Sequence, residues 1–458
     1  MIVVSLLFLL LCGVVFSLAT NKDVFSPGKF YHLFLCVYFI DIFVSPHNSY
    51  VYVTYAGYIL LGFVISMLER LQLGRQHGPT LVAGPKFRIP NSAIVVLWIL
   101  SVVPLIAQLY VIHLSGGLDT FDTVFAHRVK EWQGLGHIRI WIKLLPLINL
   151  AYYAIGLLSS RSLSWWLLYT LHLGLFILVA APTGSRGLLL YQAVYMAMLY
   201  HYLRRNLRVA TAGVLCCALL LTACFLGSFR QKIVGNLHDP LAVVNASLES
   251  LNFNSFEYGV IPLDIIFEDE FADYRYGTTF VSALTNFVPR RLWPSKFESG
   301  GVVLTRFAHG QAYIGTSHYS TGLLAESILN FGYGIGIALA AGMFIVIGSL
   351  NVRLYSYWLR CAPEQKCSRF LFILLVYPLL VQVTGSLLYG EFTNIIFGNI
   401  VRCVFAVLVV TCVSFHQPSF SRGLWLCRRL WPGRASVLYR VRRPESRFRR
   451  KSKCNRLC

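Results

Sequence analysis

Charge is scarce in this chain: 13% of its 458 residues are charged, and 19 are acidic against 40 Lys and Arg. Soluble domains carry roughly twice that charged fraction, so water is excluded as the surroundings of most of the sequence. The 12 cysteines all fall outside the one long polar stretch, residues 228 to 328. A disulfide-stapled domain there is excluded, and the thiols read as residues of an apolar core or a reducing compartment. Gly-x-Ser-x-Gly, His-Glu-x-x-His and P-loop patterns are missing, which leaves serine hydrolase, zincin and NTPase chemistry without support. The stretch Gly332-Tyr333-Gly334-Ile335-Gly336 follows no strand and opens an apolar run, so close helix packing explains it better than a nucleotide loop. No internal repeat is visible, which argues against a carrier built from two related halves.

Apolar sequence fills the space instead: 56% of residues are hydrophobic and the mean hydropathy is +0.63. Runs able to cross a hydrocarbon core of roughly 30 Å lie near 2–19, 30–46, 50–68, 92–113, 140–159, 163–181, 187–203, 209–227, 329–350, 370–389 and 394–414. Because a bilayer demands internally satisfied backbone, these predict an all-α, polytopic integral membrane protein with about 11 transmembrane helices. Arg70, Arg75, Lys86 and Arg88 share one connection, Arg204, Arg205 and Arg208 a second, and Arg353, Arg360, Lys366 and Arg369 a third. By the positive-inside bias all three face the cytoplasm. Connections 114–138, 182–186, 228–328 and 390–393 then face outward, with the N-terminus outside and the C-terminus inside. The expected organisation is residues 1–227 as spans 1–8, 228–328 as a large outward loop, 329–414 as spans 9–11, and 415–458 as a basic cytoplasmic tail. That tail holds thirteen Lys and Arg against Glu445 alone, which suits contact with anionic headgroups.

The outward loop carries seven Lys and Arg against ten Asp and Glu, a balance of −3 in a chain of +21. Such asymmetry reports sidedness rather than a nucleic-acid partner. Four groups within the outward segments have the residues for chemistry. Ala181-Pro182-Thr183-Gly184-Ser185-Arg186-Gly187 puts an Arg at a helix start, where free N–H groups, Ser185 and the guanidinium of Arg186 outline an anion site. Phe287 to Lys296 gathers Arg290, Arg291 and Lys296 between Pro289 and Pro294, a cation cluster suited to a diphosphate or, on a solvated surface, paired with local acids such as Glu298. Arg306, His309 and the run Gly315 to Gly322 supply hydroxyls and imidazoles; His318 is a candidate general base and Glu326 a rival one. The acids Asp264, Glu268, Asp269, Glu270 and Asp273 read as one face of an exposed amphipathic helix more than a cation site. Within the spans, Asp41 and Arg402 are expected to pair with each other or to line a polar path, with Glu391 a further partner. Nothing calls for a metal or a cofactor.

Taken in order, Ser115-Gly116-Gly117-Leu118, Gly184-Ser185-Arg186-Gly187-Leu188-Leu189, Pro289-Arg290-Arg291-Leu292-Trp293-Pro294-Ser295-Lys296 and Gly322-Leu323-Leu324-Ala325-Glu326-Ser327-Ile328-Leu329-Asn330-Phe331-Gly332 resemble the Wzy-type O-antigen polymerases, the oligosaccharide repeat unit polymerases. The likeness runs over about residues 90 to 400. It implies a helical scaffold like those of membrane-embedded, GT-C-like glycosyltransferases, located in a bacterial inner membrane. The implied activity joins oligosaccharide repeats carried on undecaprenyl diphosphate at the periplasmic face. Arg186, Arg290, His318 and Glu326 become the expected catalytic residues, and Ser185, Arg291, Lys296, Arg306 and Arg128 the expected substrate contacts. A Wzz-like chain-length regulator is the implied protein partner, membrane lipids surround the chain, and no cofactor or nucleic acid is involved. Arg290 is followed by Gly301 in an Arg-x10-Gly spacing that Arg186 lacks. The neighbouring O-antigen ligases show a His-Asn pair in the outer loop, whereas here His318 precedes Tyr319 and His309 precedes Gly310. Transport of a lipid-linked sugar is the remaining alternative.

Overall fold

The computed structural model describes residues 2–73, 92–117, 120, 124, 127–132, 134–158, 161–183, 185–233, 240–249, 259–268, 274–288, 292–315, 317–361 and 367–415. Arg290, Arg291 and the basic tail lie outside the described residues, as do the side chains of Arg128 and Arg186. Every regular element among the described residues is helical, the outcome that unsatisfied backbone in hydrocarbon enforces. In chain order they are α1 (Ile2–Thr20), α2 (Pro27–Tyr38), α3 (Ser49–Leu73), α4 (Ser92–Leu114), α5 (Gly136–Ile142), α6 (Leu144–Leu158), α7 (Leu163–Ala180) and α8 (Arg186–Leu203). Then come α9 (Val209–Ile233), α10 (Pro240–Glu249), α11 (Ile261–Glu268), α12 (Thr278–Thr285), α13 (Gly300–His309), α14 (Gly322–Cys361), α15 (Cys367–Tyr389) and α16 (Phe392–Phe415). Residues 228–328 thus supply short helices, as their broken hydropathy implies.

Among the described residues, eight helical segments are long and apolar enough to cross a membrane. Three segments of the expected eleven differ, each for a physical reason. The run 30–46 is interrupted: α2 is 12 residues long, and a 3-10 turn over Ile40–Phe43 follows it. Helix α8 carries Tyr191, Gln192, Tyr195, His201 and Tyr202, which lower its hydropathy. The apolar part of α15 is the short stretch Leu374–Tyr389. All three pack inside the bundle, α2 and α15 against each other and α8 against α6. Polar residues there meet protein rather than lipid.

Burial separates axis from rim. In the span formed by α5 and α6, 72% of residues are buried, against 11% in the α9 span. Leu7, Phe8, Leu11 and Val15 of α1 and Val95, Ile99 and Ile106 of α4 are exposed, an apolar surface stable against hydrocarbon and not against water.

Helix α14 is broken at Gly332, whose φ of 75° and ψ of 178° suit glycine alone. A Cβ there would meet the Tyr274 ring at 3.2 Å. The break frees carbonyls in the preceding turn, and they are taken at once. Arg275 N–H donates to Leu329 O at 3.1 Å and Tyr276 N–H to Asn330 O at 2.9 Å, while the Asn330 side chain accepts from Gly277 N–H at 2.9 Å. Gly336 then lies against the backbone of Ser327 and Ile328, the close approach that small residues at 332 and 336 permit.

The polar run before α12 is tied down elsewhere. Asp264 on α11 lies 2.9 Å from Nδ1 of His47, whose Nε2 is 3.3 Å from Asp41. Asp41 therefore closes a clasp between the α2–α3 connection and α11. Its expected pairing with Arg402 is overturned.

Candidate functional site

Helix α8 is the post on which both ends of the bundle are built. Its first turn follows a 3-10 turn, Ala181–Thr183, in which Thr183 Oγ1 donates to Ala180 O at 2.6 Å and accepts from Ser185 N–H at 3.3 Å. Ser185 has extended φ/ψ and makes no side-chain cap bond, so the N–H groups that open α8 have no side-chain oxygen of Ser185 on them. Beside this start lies a cavity of about 560 Å³ lined by Thr183, Ser185, Gly187, Tyr191 and Gln192 from the turn and α8. Arg139 and Lys143 face it from α5 and the residue after α5, Asn286 from the residue after α12, Tyr389 from α15, and Asn394 and Arg402 from α16.

Three cations in one cavity is the defining feature. The Arg139 guanidinium lies 4.4 Å over the Trp132 ring, Lys143 Nζ lies 5.8 Å from the Phe397 ring centre, and Arg402 reaches Asn399 Oδ1 at 3.5 Å. Among the described residues none of the three forms an ion pair. Like charges held together without counter-charge in a low-dielectric site are costly. An anion with several oxygens removes that cost, and a diphosphate matches guanidinium forks and an ammonium.

An apolar groove of about 430 Å³ adjoins the cavity, sharing Gly187 and Tyr191 with it. Its walls are Val14 and Leu18 of α1, Phe30 and Leu33 of α2, Leu190 and Val194 of α8, and Leu215 and Leu219 of α9. From Lys29 to Tyr38 the lining runs along α2; at 1.5 Å per residue that is roughly 14 Å, about half of a hydrocarbon core.

The sequence-derived candidates divide. Ser185 lines the cavity, and Arg186 opens the helix that borders it. Lys296 is folded back: its ammonium donates to Val288 O at 2.9 Å and lies 3.5 Å from Asn286 Oδ1, on the cavity wall. Arg306 is already engaged, with Nη1 at 2.6 Å from both carboxylate oxygens of Glu298. Glu298, the acid named as a partner for the neighbouring 287–296 cations, is thus taken by Arg306, the expected substrate contact. The backbone of Arg128 opens a short turn, Arg128–Glu131, which Val129 N–H ties to Gly315 O at 3.3 Å. His318 is half-buried and does not line the cavity; its Nδ1 is buried without a hydrogen-bond partner. Burial, with Arg306 nearby, holds its imidazole below the ordinary value.

Glu326 is an interior post. It is fully buried, with Oε1 accepting from Thr279 Oγ1 at 2.9 Å and Oε2 from Thr321 Oγ1 at 3.0 Å and Phe392 N–H at 2.9 Å. These bonds fasten α12, the start of α14 and the start of α16, and leave no carboxylate oxygen facing the cavity. Glu326, expected as a base, has this fastening role in the fold and is not among the residues that line the cavity. Glu391 lies closer to the cavity: its Oε1 accepts from Gly301 N–H at 2.9 Å and its Oε2 from the side chain of Asn394. Burial raises its carboxyl above the usual range.

Arg139, Lys143, Gln192 and Asn394 were not singled out from sequence. Arg139 and Lys143 carried a usable signal, two cations four residues apart at the head of a span, where ionisable residues mark function by default. Gln192 and Asn394 carried none, since an amide in a helix is unremarkable until its partners are known. Comparison with protein-family models, curated proteins and solved structures returns no match for this chain.

Proposed function

We propose that this chain is a membrane glycosyltransferase of the Wzy polymerase type, joining oligosaccharide repeats carried on undecaprenyl diphosphate at the outer face of a bacterial inner membrane. In this reading α2, α8 and α15 cross the bilayer with the eight apolar spans, giving eleven crossings with the N-terminus outside. The cavity then opens outward, where lipid-linked repeats are presented. The observation that carries the reading is the trio Arg139, Lys143 and Arg402 at the head of α8, without an ion pair among the described residues, beside an apolar groove. One ligand with an anionic head and a long apolar chain satisfies both.

The chemistry needs few parts. An acceptor sugar hydroxyl forms a bond to the donor's anomeric carbon as the bond from that carbon to the diphosphate oxygen breaks. The bonding electrons leave with the diphosphate, and the cations, joined by Arg186, stabilise the charge that develops there. The hydroxyl proton passes to a base; the expected one, His318, lies outside the cavity lining and serves where the bound acceptor chain brings its hydroxyl out to it. Holding two lipid-linked chains at one outward face supplies the alignment.

Deletion of the gene and sizing of surface glycolipids by gel test the reading. Core carrying a single repeat unit is the expected result. Bare core with accumulated lipid-linked polymer identifies a ligase instead, and loss of all outward repeat units identifies transport.

A further inference from the structure

The cavity contains more than cations. Gln192 forms part of its wall, is 2% exposed, and its Oε1 is buried without a hydrogen-bond partner. The direction of that amide is set by a chain of bonds running back through three helices. Ser101 Oγ donates to Leu97 O at 2.7 Å, so at 2.8 Å it accepts from His172 Nε2–H. The His172 proton is then on Nε2, and Nδ1 accepts from the Asn149 side-chain nitrogen at 3.0 Å. Asn149 Oδ1 is left to accept, and Gln192 Nε2 donates to it at 2.8 Å. Each donor is used once, and the chain ends in a carbonyl oxygen with nothing to accept from.

Asn394 repeats the arrangement from the other side of the sequence. It is exposed on the cavity wall, and its amide nitrogen donates to Glu391. A carboxylate only accepts when ionised, and turning the amide over would set two oxygens against each other. Asn394 Oδ1 is therefore the free end. A cavity for a bare anion has no use for two fixed acceptor oxygens, which repel phosphate. A ligand bearing hydroxyl donors beside its anion uses both.

We propose that Gln192 and Asn394 form a hydroxyl-reading subsite within the cationic cavity, holding the sugar attached to the diphosphate. Asn149 and Glu391 fix the direction of the two amides. The inference rests on the glycosyltransferase reading and extends it from the leaving group to the transferred sugar. A site that hydrogen-bonds a hydroxyl discriminates strongly against ligands lacking it, because its own polar groups are otherwise left unpaired.

The test uses the full chain in lipid nanodiscs with two probes: farnesyl diphosphate, which has an anion and no sugar, and lipid-linked repeat units extracted from a deletion strain. Asn394→Ala and Gln192→Met are compared with the unaltered protein for binding and for polymer formation. The expected result is a roughly ten-fold weakening of the sugar-bearing lipid per substitution, with farnesyl diphosphate binding changed less than about two-fold. Equal weakening of both probes, or of neither, overturns the subsite. Asn394 is exposed, so its variant keeps the test valid where Gln192→Met fails to fold. Failure of the unaltered chain to bind either probe overturns the glycosyltransferase reading itself.

Discussion

The two ends of α8 carry charge in opposite ways. At one end, Asp23 is 1% exposed yet fully provided for: Oδ1 accepts from Phe25 N–H at 2.9 Å and lies 3.2 Å from His201 Nε2, while Oδ2 accepts from Tyr202 and Tyr355, each at 2.6 Å. Lys29 adds its ammonium to the carbonyl oxygens of Asn21 and Asp23. At the other end, Arg139, Lys143 and Arg402 line a cavity with no carboxylate paired to any of them among the described residues. A buried charge with its partners built in holds helices together; half-buried charges without a counter-charge leave a place for one. The first end therefore reads as structure and the second as site.

Substitutions break this comparison in a predictable order. Arg402→Ala should lower polymer formation about 100-fold to 1,000-fold, the range for losing a group that stabilises transition-state charge. Its melting temperature should hold or rise, because a like-charge contact is relieved; a large drop in melting would make Arg402 structural. Asp23→Ala should do the reverse, costing about 3 kcal/mol in stability by leaving His201, Tyr202 and Tyr355 without their acceptor, with activity per folded molecule retained. Thermal melting and a polymer-length assay on the same preparations separate the two outcomes.

The Asp23 end also predicts a pH dependence. Burial opposes ionisation of Asp23, but His201, Tyr202 and Tyr355 outweigh it and hold the carboxyl below its ordinary 3.8. Its stabilisation is thus complete above that value and is lost as pH falls through the lower, folded-state value. Melting temperature should decline on acidification below the ordinary carboxylate range, and Asp23→Asn should flatten that slope. Gly332→Ala, at the α14 break, should cost about 1 to 2 kcal/mol through its positive φ and the Tyr274 contact, read as a lowered melting temperature without a selective loss of activity. The smallest effect belongs to His318. Because burial and Arg306 lower its imidazole value, the acid limb of activity should fall below the ordinary imidazole range, and Arg306→Gln should move it upward.

Much of the fold was legible because hydrocarbon leaves the backbone few choices. The long runs at 2–19, 92–113 and 209–227 became α1, α4 and α9, and Asp264 and Glu268 fall in α11 with Leu263 and Ile266 buried, while Asp269, Glu270 and Asp273 lie outside the described residues. The interrupted helices were harder. Asp41 sits in an apolar run, and the turn there is built on it: Ser45 Oγ donates to Asp41 Oδ1 at 2.9 Å and His47 Nε2 lies 3.3 Å away. The site was half legible. The Thr183 to Gly187 turn was found from residue type at a helix start, whereas the bonds that hold Arg306 and Glu326 in the fold were not. Both had partners close in sequence, Glu298 and Thr321, that residue type alone did not rank above a ligand.

By itself the sequence led to helices and many apolar spans, and every regular element among the described residues is helical; it also pointed to the head of α8 as a place for an anion, because helix geometry and hydropathy are local or nearly so. Tertiary structure alone decided which charges are spent and which are free. Arg402 and Asp41 look equivalent along the chain, and so do Glu326 and Glu391. What distinguishes them is the identity of groups a few ångströms away, contributed by residues up to 90 positions distant in the chain, and pairing energies at that range depend on those groups rather than on residue type alone.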